Sequence, residues 1–299
     1  MDTQKQNKWM LRAAFASIST VVVLIVLKAV AFAITGSVAM LSSLFDSIQD
    51  SMTSVVNLVA IRHAVIPADK HHRFGHGKAQ GVGSLIQACI IIMAALFLAK
   101  ESVVHIVTGQ GVTDISIGIW VSICAIVLTG ALITFQTWVI KQTNSLCVRT
   151  DKAHYVGDIL MNLGVLLSLM ASSCLGWRWL DGVFGIGVSC YLIYSVCNVV
   201  REALAMLMDH ELPEKTRQTI KSVALSVPKV LNVSNLKTRQ SGSHLFIQFD
   251  VQFDGKMQLN SAHRYLDEIE SKLHQLYPEC DVMIHAEPFI DKLKTGDKK

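Results

Sequence analysis

Six runs of apolar residues divide the first two thirds of the chain, at about 13–35, 38–61, 81–107, 115–140, 153–177 and 180–207. At ~1.5 Å of rise per residue each run is long enough for an α-helix to cross a hydrocarbon core of roughly 30 Å. The pattern therefore predicts a six-helix transmembrane bundle. The second run, VAMLSSLFDSIQDSMTSVVNLVAI, is polar along one side, through Ser42, Ser43, Asp46, Ser47, Gln49, Asp50, Ser51, Thr53, Ser54 and Asn57. Lipid rejects such a face, so it is predicted to turn towards other helices or a water-filled cavity. The first run contains Lys28, read as snorkelling or as facing a protein interior, with no chemistry assigned to it.

Beyond residue 208 the pattern changes. Glu214 to Ser226 predicts a helix, with Pro213 near its start and Pro228 just past its end. Val230 to Thr238 and His244 to Phe253 predict strands. The second strand alternates His244, Phe246, Gln248, Asp250 and Gln252 against Leu245, Ile247, Phe249, Val251 and Phe253, and Ser-Gly-Ser supplies the turn between the two. Leu259 to Leu276 fits an amphipathic helix and Asp281 to His285 a short last strand. An α-β-β-α-β order makes a two-layer α+β domain, and a core that small is marginal alone, so dimerisation is expected to support it. The expected organisation is a tail over 1–12, a six-span membrane domain over 13–208, an α+β domain over 209–291 and a disordered tail over 292–299.

Composition agrees with a membrane protein: 51% of the 299 residues are hydrophobic and only 17% charged. The net charge of +4 is spread over short segments and forms no single patch, which argues for topology and against nucleic-acid binding. Lys5, Lys8 and Arg12 precede the first run. Arg62, Lys70, Arg73 and Lys78 lie between the second and third, and Lys141, Arg149 and Lys152 between the fourth and fifth. The opposite connections are short and poor in positive charge: TGS, TGQGVTD and a turn around Gly176 to Arg178. The positive-inside rule then places both termini in the cytoplasm. The apolar run that follows MDTQKQNKWMLR is too long for a signal peptide and is read as a retained first span. Of the seven cysteines, five lie in apolar segments and none forms a CxxC pair; they read as small packing residues, with no disulfide framework.

Two pairs of residues carry the chemistry. Asp46 and Asp50 stand four apart in the second run, His154 and Asp158 four apart in the fifth, so each pair stacks on one helix face. Such groups are expensive in hydrocarbon unless a positive charge sits among them. If the two faces meet, three carboxylates and an imidazole suit tetrahedral Zn²⁺ and leave Mg²⁺ or Ca²⁺ under-coordinated. With the histidine neutral the set carries −3, and one divalent ion brings it to −1, so binding should displace protons. The competing reading for either aspartate alone is helix packing or capping.

Other positions are less specific. In PADKHHRFGHGKAQ, between the second and third runs, Asp69, His72 and His76 are spaced to converge on one ion, with His71 as a rival donor; a solvated loop is the alternative. In the tail His263, His285, Glu287 and Asp250 form the nearest approach to a ligand set. His210, His244 and His274 have no persuasive partner. Glu101 and His105 fit an interfacial role, and Asn57, Asn162 and Gln136 fit either pathway lining or helix-to-helix hydrogen bonding. Small residues in DGVFGIGVSC point to close helix packing.

FDSIQD, HYVGD, PADKHHRFGHGKA, LKTRQSG and IHAEP together resemble the cation diffusion facilitator family, over about residues 5 to 290. The resemblance implies a homodimeric, proton-coupled exporter with a metallochaperone-like cytoplasmic domain in the bacterial inner membrane. It places a transport site on Asp46, Asp50, His154 and Asp158, and a loop site on Asp69, His72 and His76. A charge interlock at the dimer interface falls on Lys78 and Asp209. It also implies a binuclear cytoplasmic site, with His263, His285 and Glu287 at ligand positions. Here the chain departs from the pattern: Glu287 replaces an aspartate, and Ser234 and Asp250 replace histidines, which should weaken affinity for soft metals. Histidine in HYVGD is associated with zinc and cadmium, aspartate there with iron or manganese.

The expected cargo is Zn²⁺, which is also a candidate structural ion, with Cd²⁺ as an accidental passenger and Fe²⁺ as the alternative physiological cargo. No organic cofactor is expected. A phosphate-cradling GxxxxGK[ST] and an HExxH are both missing from the sequence, which argues against ATP coupling within this polypeptide and against a membrane metalloprotease. The alternative class is a metal-responsive membrane scaffold or sensor that does not transport.

Overall fold

Each long apolar run becomes a long helix. The computed structural model describes residues 3–35, 38–108, 116–175 and 180–289. The expected connections at TGS, TGQGVTD and Gly176 to Arg178, the tail at 292–299, Cys174 and the side chains of Ser42 and His105 lie wholly or mainly outside the described residues. The chain divides into two compact units, Met1–Leu204 and Ala205–Lys299.

Six long helices are described: α1 (Thr3–Thr35), α2 (Val38–Ala64), α3 (Ala79–Thr108), α4 (Ser116–Thr143), α5 (Leu146–Leu175) and α6 (Leu180–Leu207). Four contain stretches long and apolar enough to cross a membrane: Gln4–Ile34, Ala79–Val104, Ile119–Thr143 and Gly182–Leu207. The other two, α2 and α5, are 27 and 30 residues long but carry the ionisable pairs, which dilute their apolar character. Burial in this unit is inverted relative to a water-soluble bundle. Ser17, Ser47, Thr53, Ser54, Asn57, Gln87, Gln136, Asp151 and His154 are inside, while Val22, Val26, Val30, Phe97, Trp120 and Val127 face out. That is the arrangement lipid imposes, since outward polar groups would go unsatisfied there.

Packing follows small residues. Ala13, Ala14 and Ala60 let α1 and α2 close on Val139, Cys147 and Val148 of α4 and α5. Ala88, Ile91 and Ala95 of α3 pack on Val188, Leu192 and Val196 of α6. The glycines of DGVFGIGVSC act here: a Cβ on Gly182 or Gly185 would run into Ser102 of α3, so these two positions admit the close approach. The cysteines differ from expectation. Among the described ones Cys147 and Cys280 are buried, whereas Cys89, Cys124, Cys190 and Cys197 lie exposed on the outside.

Two helices extend beyond their apolar runs. α1 begins at Thr3 rather than near 13, and α5 begins at Leu146, not near 153. The segment expected as a charged connection between α4 and α5 is in fact a tight junction, with Asn144 at φ 49 and its N–H donating to the Ile140 carbonyl at 2.8 Å. Leu146, Cys147, Val148, Thr150 and Asp151 are already buried in the first turns of α5, through contacts that hydropathy does not register.

The second unit has the expected α-β-β-α-β order: α7 (Glu214–Leu225), β1 (Asn232–Ser241), β2 (His244–Phe253), α8 (Leu259–Leu276) and β3 (Cys280–Pro288). β1 runs antiparallel to β2 and β3 parallel to it, in the sheet order β1-β2-β3. Gly242 turns the hairpin at φ 63; β1 carries a register shift between Ser234 and Lys237, with Asn235 at φ 51, and its pairing continues past the Thr238 expected as its end to Ser241. Ile247, Phe249, Val251 and Phe253 of β2 meet Ile220 and Ala224 of α7 and Ile269 and Leu273 of α8 in one core. The alternation is not strict, because Phe246 on the opposite face is buried beneath the Arg239 guanidinium, 4.8 Å from its ring centre.

Candidate metal centres

α2 and α5 meet, and the i,i+4 spacing on each decides what is brought together. His154 Nε2 lies 3.2 Å from Asp50 Oδ1 and 3.9 Å from Asp158 Oδ2. One donor atom from each of Asp50, His154 and Asp158 falls within 4.8 Å of the others. The imidazole is buried and the two carboxylates half-buried. Three donors at this spacing could hold a metal ion and would leave a tetrahedral position for a fourth ligand. Asp46, one turn along α2, is exposed, and its carboxylate stands outside the group.

The polar side of α2 is shared among several neighbours. Ser54 Oγ is 2.8 Å from the Tyr155 hydroxyl, and Gln87 of α3 donates to the Thr53 carbonyl at 3.1 Å. Gln49, like Asp46, is exposed. Asn162 donates to the Asp158 carbonyl at 2.8 Å, a bond within α5. Gln136 does bridge helices: its Nε2 donates to Asp151 Oδ2 at 2.7 Å and to Ser17 Oγ at 3.0 Å, while Ser17 Oγ itself donates to Asp151 at 2.6 Å. Asp151 is thus a buried carboxylate joining α1, α4 and α5, three residues before His154. Sequence reasoning missed it. Its placement at i, i+3 and i+7 with His154 and Asp158 was the available signal, but neighbouring Arg149 and Lys152 made it look like part of a charged connection.

A second group forms in the connection between α2 and α3. Asp69 Oδ1 accepts from the backbone N–H groups of His72 at 2.6 Å and His71 at 2.8 Å. His72 Nδ1 is 3.4 Å from Asp69 Oδ1 and His76 Nε2 is 3.5 Å from Asp69 Oδ2, with the two imidazole centres 4.5 Å apart. Gly75, at φ 75, makes the left-handed turn that folds His76 back, a conformation a Cβ would strain. His71 is not part of the group.

The backbone donors of His72 and then His71 hold the Asp69 carboxyl below the usual carboxylate range. A carboxyl with a lowered pKa contributes order that is complete above its unfolded value of about 3.9 and is lost as pH falls through the lowered one. Asp69→Ala is therefore expected to speed amide hydrogen exchange at His71 and His72, whose N–H groups lose their acceptor. The exchange difference should be the same at pH 8 and pH 5, because the carboxylate is ionised throughout. A difference that vanished at pH 5 would overturn this assignment.

The tail residues are placed differently. Strand register sets Ser234, Asp250 and His285 abreast across β1, β2 and β3. Asp250 Oδ2 accepts from Asn235 Nδ2 at 2.5 Å, His285 Nε2 lies 4.0 Å from Glu287, and His263 Nε2 lies 3.7 Å from Asp267. Among the described residues no three of these donors come within 4.8 Å of one another. Lys78 stands half-buried just before α3, and Asp209, at φ 54, faces Arg239 Nη1 at 3.4 Å.

The chain is similar to proteins of known type along nearly its whole length. Residues 14–208 match the cation efflux transmembrane domain and residues 212–289 the cytoplasmic domain of cation efflux proteins. It is 38% identical over 286 residues to the cation-efflux pump FieF of Shewanella oneidensis, covering 96% of each chain, and 37% identical over 285 residues to FieF of Escherichia coli, covering 95% of each. Among solved structures, the metal-bound C-terminal domain of the CzcD transporter from Thermotoga maritima is 28% identical and covers 25% of this chain and 94% of its own, with a TM-score of 0.23. Matched from the first helix of the bundle to the last strand of the sheet, the chain belongs to the cation efflux, or cation diffusion facilitator, family.

Proposed function

We propose that the chain exports divalent cations from the cytoplasm by alternating access in exchange for protons, with Zn²⁺ as principal cargo, Cd²⁺ as an accidental passenger and Fe²⁺ as the alternative physiological cargo. As a member of its family it is a divalent-cation transporter of the inner membrane and not an enzyme. In this reading all six long helices span the membrane over residues 13–208, both termini are cytoplasmic, and the unit over 209–291 lies in the cytoplasm. The chain works as a homodimer, with Lys78 and Asp209 interlocking charges near the membrane surface.

One observation carries the reading. Asp50, His154 and Asp158 converge within 4.8 Å where two helices meet, inside a bundle whose outer surface is apolar. Asp46 supplies the fourth ligand when the ion is bound. Imidazole and carboxylates together suit Zn²⁺, and the carboxylate majority also accepts Fe²⁺. Metal loads from the cytoplasm as the donors give up protons. On the far side the donors take protons back and the metal leaves. Asp69, His72 and His76 hold a further ion in the connection between α2 and α3, and the row of Ser234, Asp250 and His285 with Glu287 and His263 forms a weakened cytoplasmic site.

The test is zinc flux in proteoliposomes under imposed pH gradients. Each exchanged proton biases accumulation by about tenfold per pH unit. Flux that follows the gradient with no chemical product is expected; flux indifferent to it removes the exchange mechanism.

A further inference from the structure

Lys28 lies well inside α1, within an apolar stretch, and nothing above gives it a role. The structure does not show it snorkelling. Its Nζ donates to Ser47 Oγ at 2.6 Å and to the Ser43 carbonyl at 3.1 Å, so the ammonium is tied to α2. Ser47 is buried, and it sits between Asp46 and Asp50 in the sequence of that helix. Ser47 is one residue from Asp46 and three from Asp50, so the ammonium is tied to the part of α2 that carries both, and Asp50 there meets Asp158 of α5. The same centre also holds Asp50 and His154, with Asp151 behind them.

An ammonium has three donors and no lone pair, so it cannot ligate a metal. What it supplies is charge. With the Asp151 carboxylate met by hydrogen bonds from Ser17 and Gln136 and left out of the ligand set, Asp46, Asp50 and Asp158 sum to −3, and a divalent ion leaves −1 in a low-dielectric setting, which is unfavourable. Adding the +1 of Lys28 brings the loaded site to zero, whereas a monovalent ion would leave it at −1. We infer that Lys28 is a resident counter-cation of the transport site, held by Ser43 and Ser47 so that the centre is neutral with one divalent ion and binds that ion loosely enough to release it. This rests on the transport reading above and adds a residue that touches no metal.

The sign of the expected effect separates this role from a structural one. Removing a fixed positive charge beside a cation site strengthens cation binding, whereas removing a structural tie weakens it or leaves it alone. Zinc binding is measured by calorimetry on the full-length protein, and flux in proteoliposomes. The binding component that Asp50→Ala abolishes defines the transport site. Lys28→Met is expected to tighten that component about tenfold or more and to lower maximal flux, with KM falling alongside. Lys28→Arg, which keeps the charge, should stay within about threefold of the parent in both. Lys28→Gln replaces the Met variant if the latter does not fold. Weaker or unchanged binding in the uncharged variant overturns the counter-cation. Loss of no component in Asp50→Ala overturns the transport-site reading itself, so the two failures are distinguishable.

Discussion

Asp50→Ala is expected to abolish zinc flux, to the level of protein-free vesicles, a fall of at least about 100-fold. The size follows from position. Among the described residues Asp50 is the α2 carboxylate that reaches His154, at 3.2 Å, so its loss leaves two converged donors, both from α5. Asp46 would then be the sole α2 ligand, one turn away and outside that group, too little to hold the ion between the two helices. Loss of an outer-shell partner already lowers metal affinity by roughly 10–100-fold, and loss of a ligand exceeds that. His154 would also remain buried without its α2 carboxylate. The measurement is stopped-flow zinc uptake beside size-exclusion profiles that verify folding. A variant that folds like the parent and keeps more than a tenth of its flux would show that Asp50 is not a ligand. Such a result, with metal tolerance of cells intact, favours a binding role without transport.

His154→Asp is expected to change which metal is moved. An imidazole offers a neutral donor of intermediate softness, and its replacement makes the centre all-carboxylate, which suits harder ions and adds a negative charge. The zinc-to-iron ratio of transport is expected to fall about tenfold or more, mostly through weaker zinc capture. Competition flux with Zn²⁺, Cd²⁺ and Fe²⁺ in one vesicle preparation, kept anaerobic so that iron stays ferrous, reads this ratio directly. An unchanged ratio would remove His154 as the source of preference. The buried surroundings of His154 matter here. Tyr155, Ser54, Ser17 and Asp151 fix the backbone of α5 around it, so the substitution alters the donor more than the frame.

The six long helices, the α-β-β-α-β tail and the two pairs of ionisable residues were legible because each is written in local periodicity. Apolar runs of spanning length appear as such, and i,i+4 spacing puts Asp46 with Asp50, and His154 with Asp158, on single faces whatever the rest of the chain does. Helix limits were less legible. α1 and α5 continue past their apolar runs, because burial against neighbouring helices sustains a helix that hydropathy would end at the membrane edge. Asp151 was hidden for the same reason: its partners Ser17 and Gln136 are 134 and 15 residues away.

Some residues that spacing places together are kept apart by the fold. Asp46 stacks with Asp50 in sequence, but the rotation of α2 against α5 turns only Asp50 into the group and leaves Asp46 exposed. In the tail the strand register aligns Ser234, Asp250 and His285, whereas His263 is occupied with Asp267 on its own helix. Lys28 is the converse case, an isolated charge in sequence that α1–α2 packing delivers beside the site. The sequence by itself determined the membrane setting, the secondary structure and the residue types able to hold a cation, since these depend on composition and short spacings. Which side chains share one point in space, and which charges balance there, only the tertiary structure decided, because helix rotation and contact are set by packing among residues far apart in the chain.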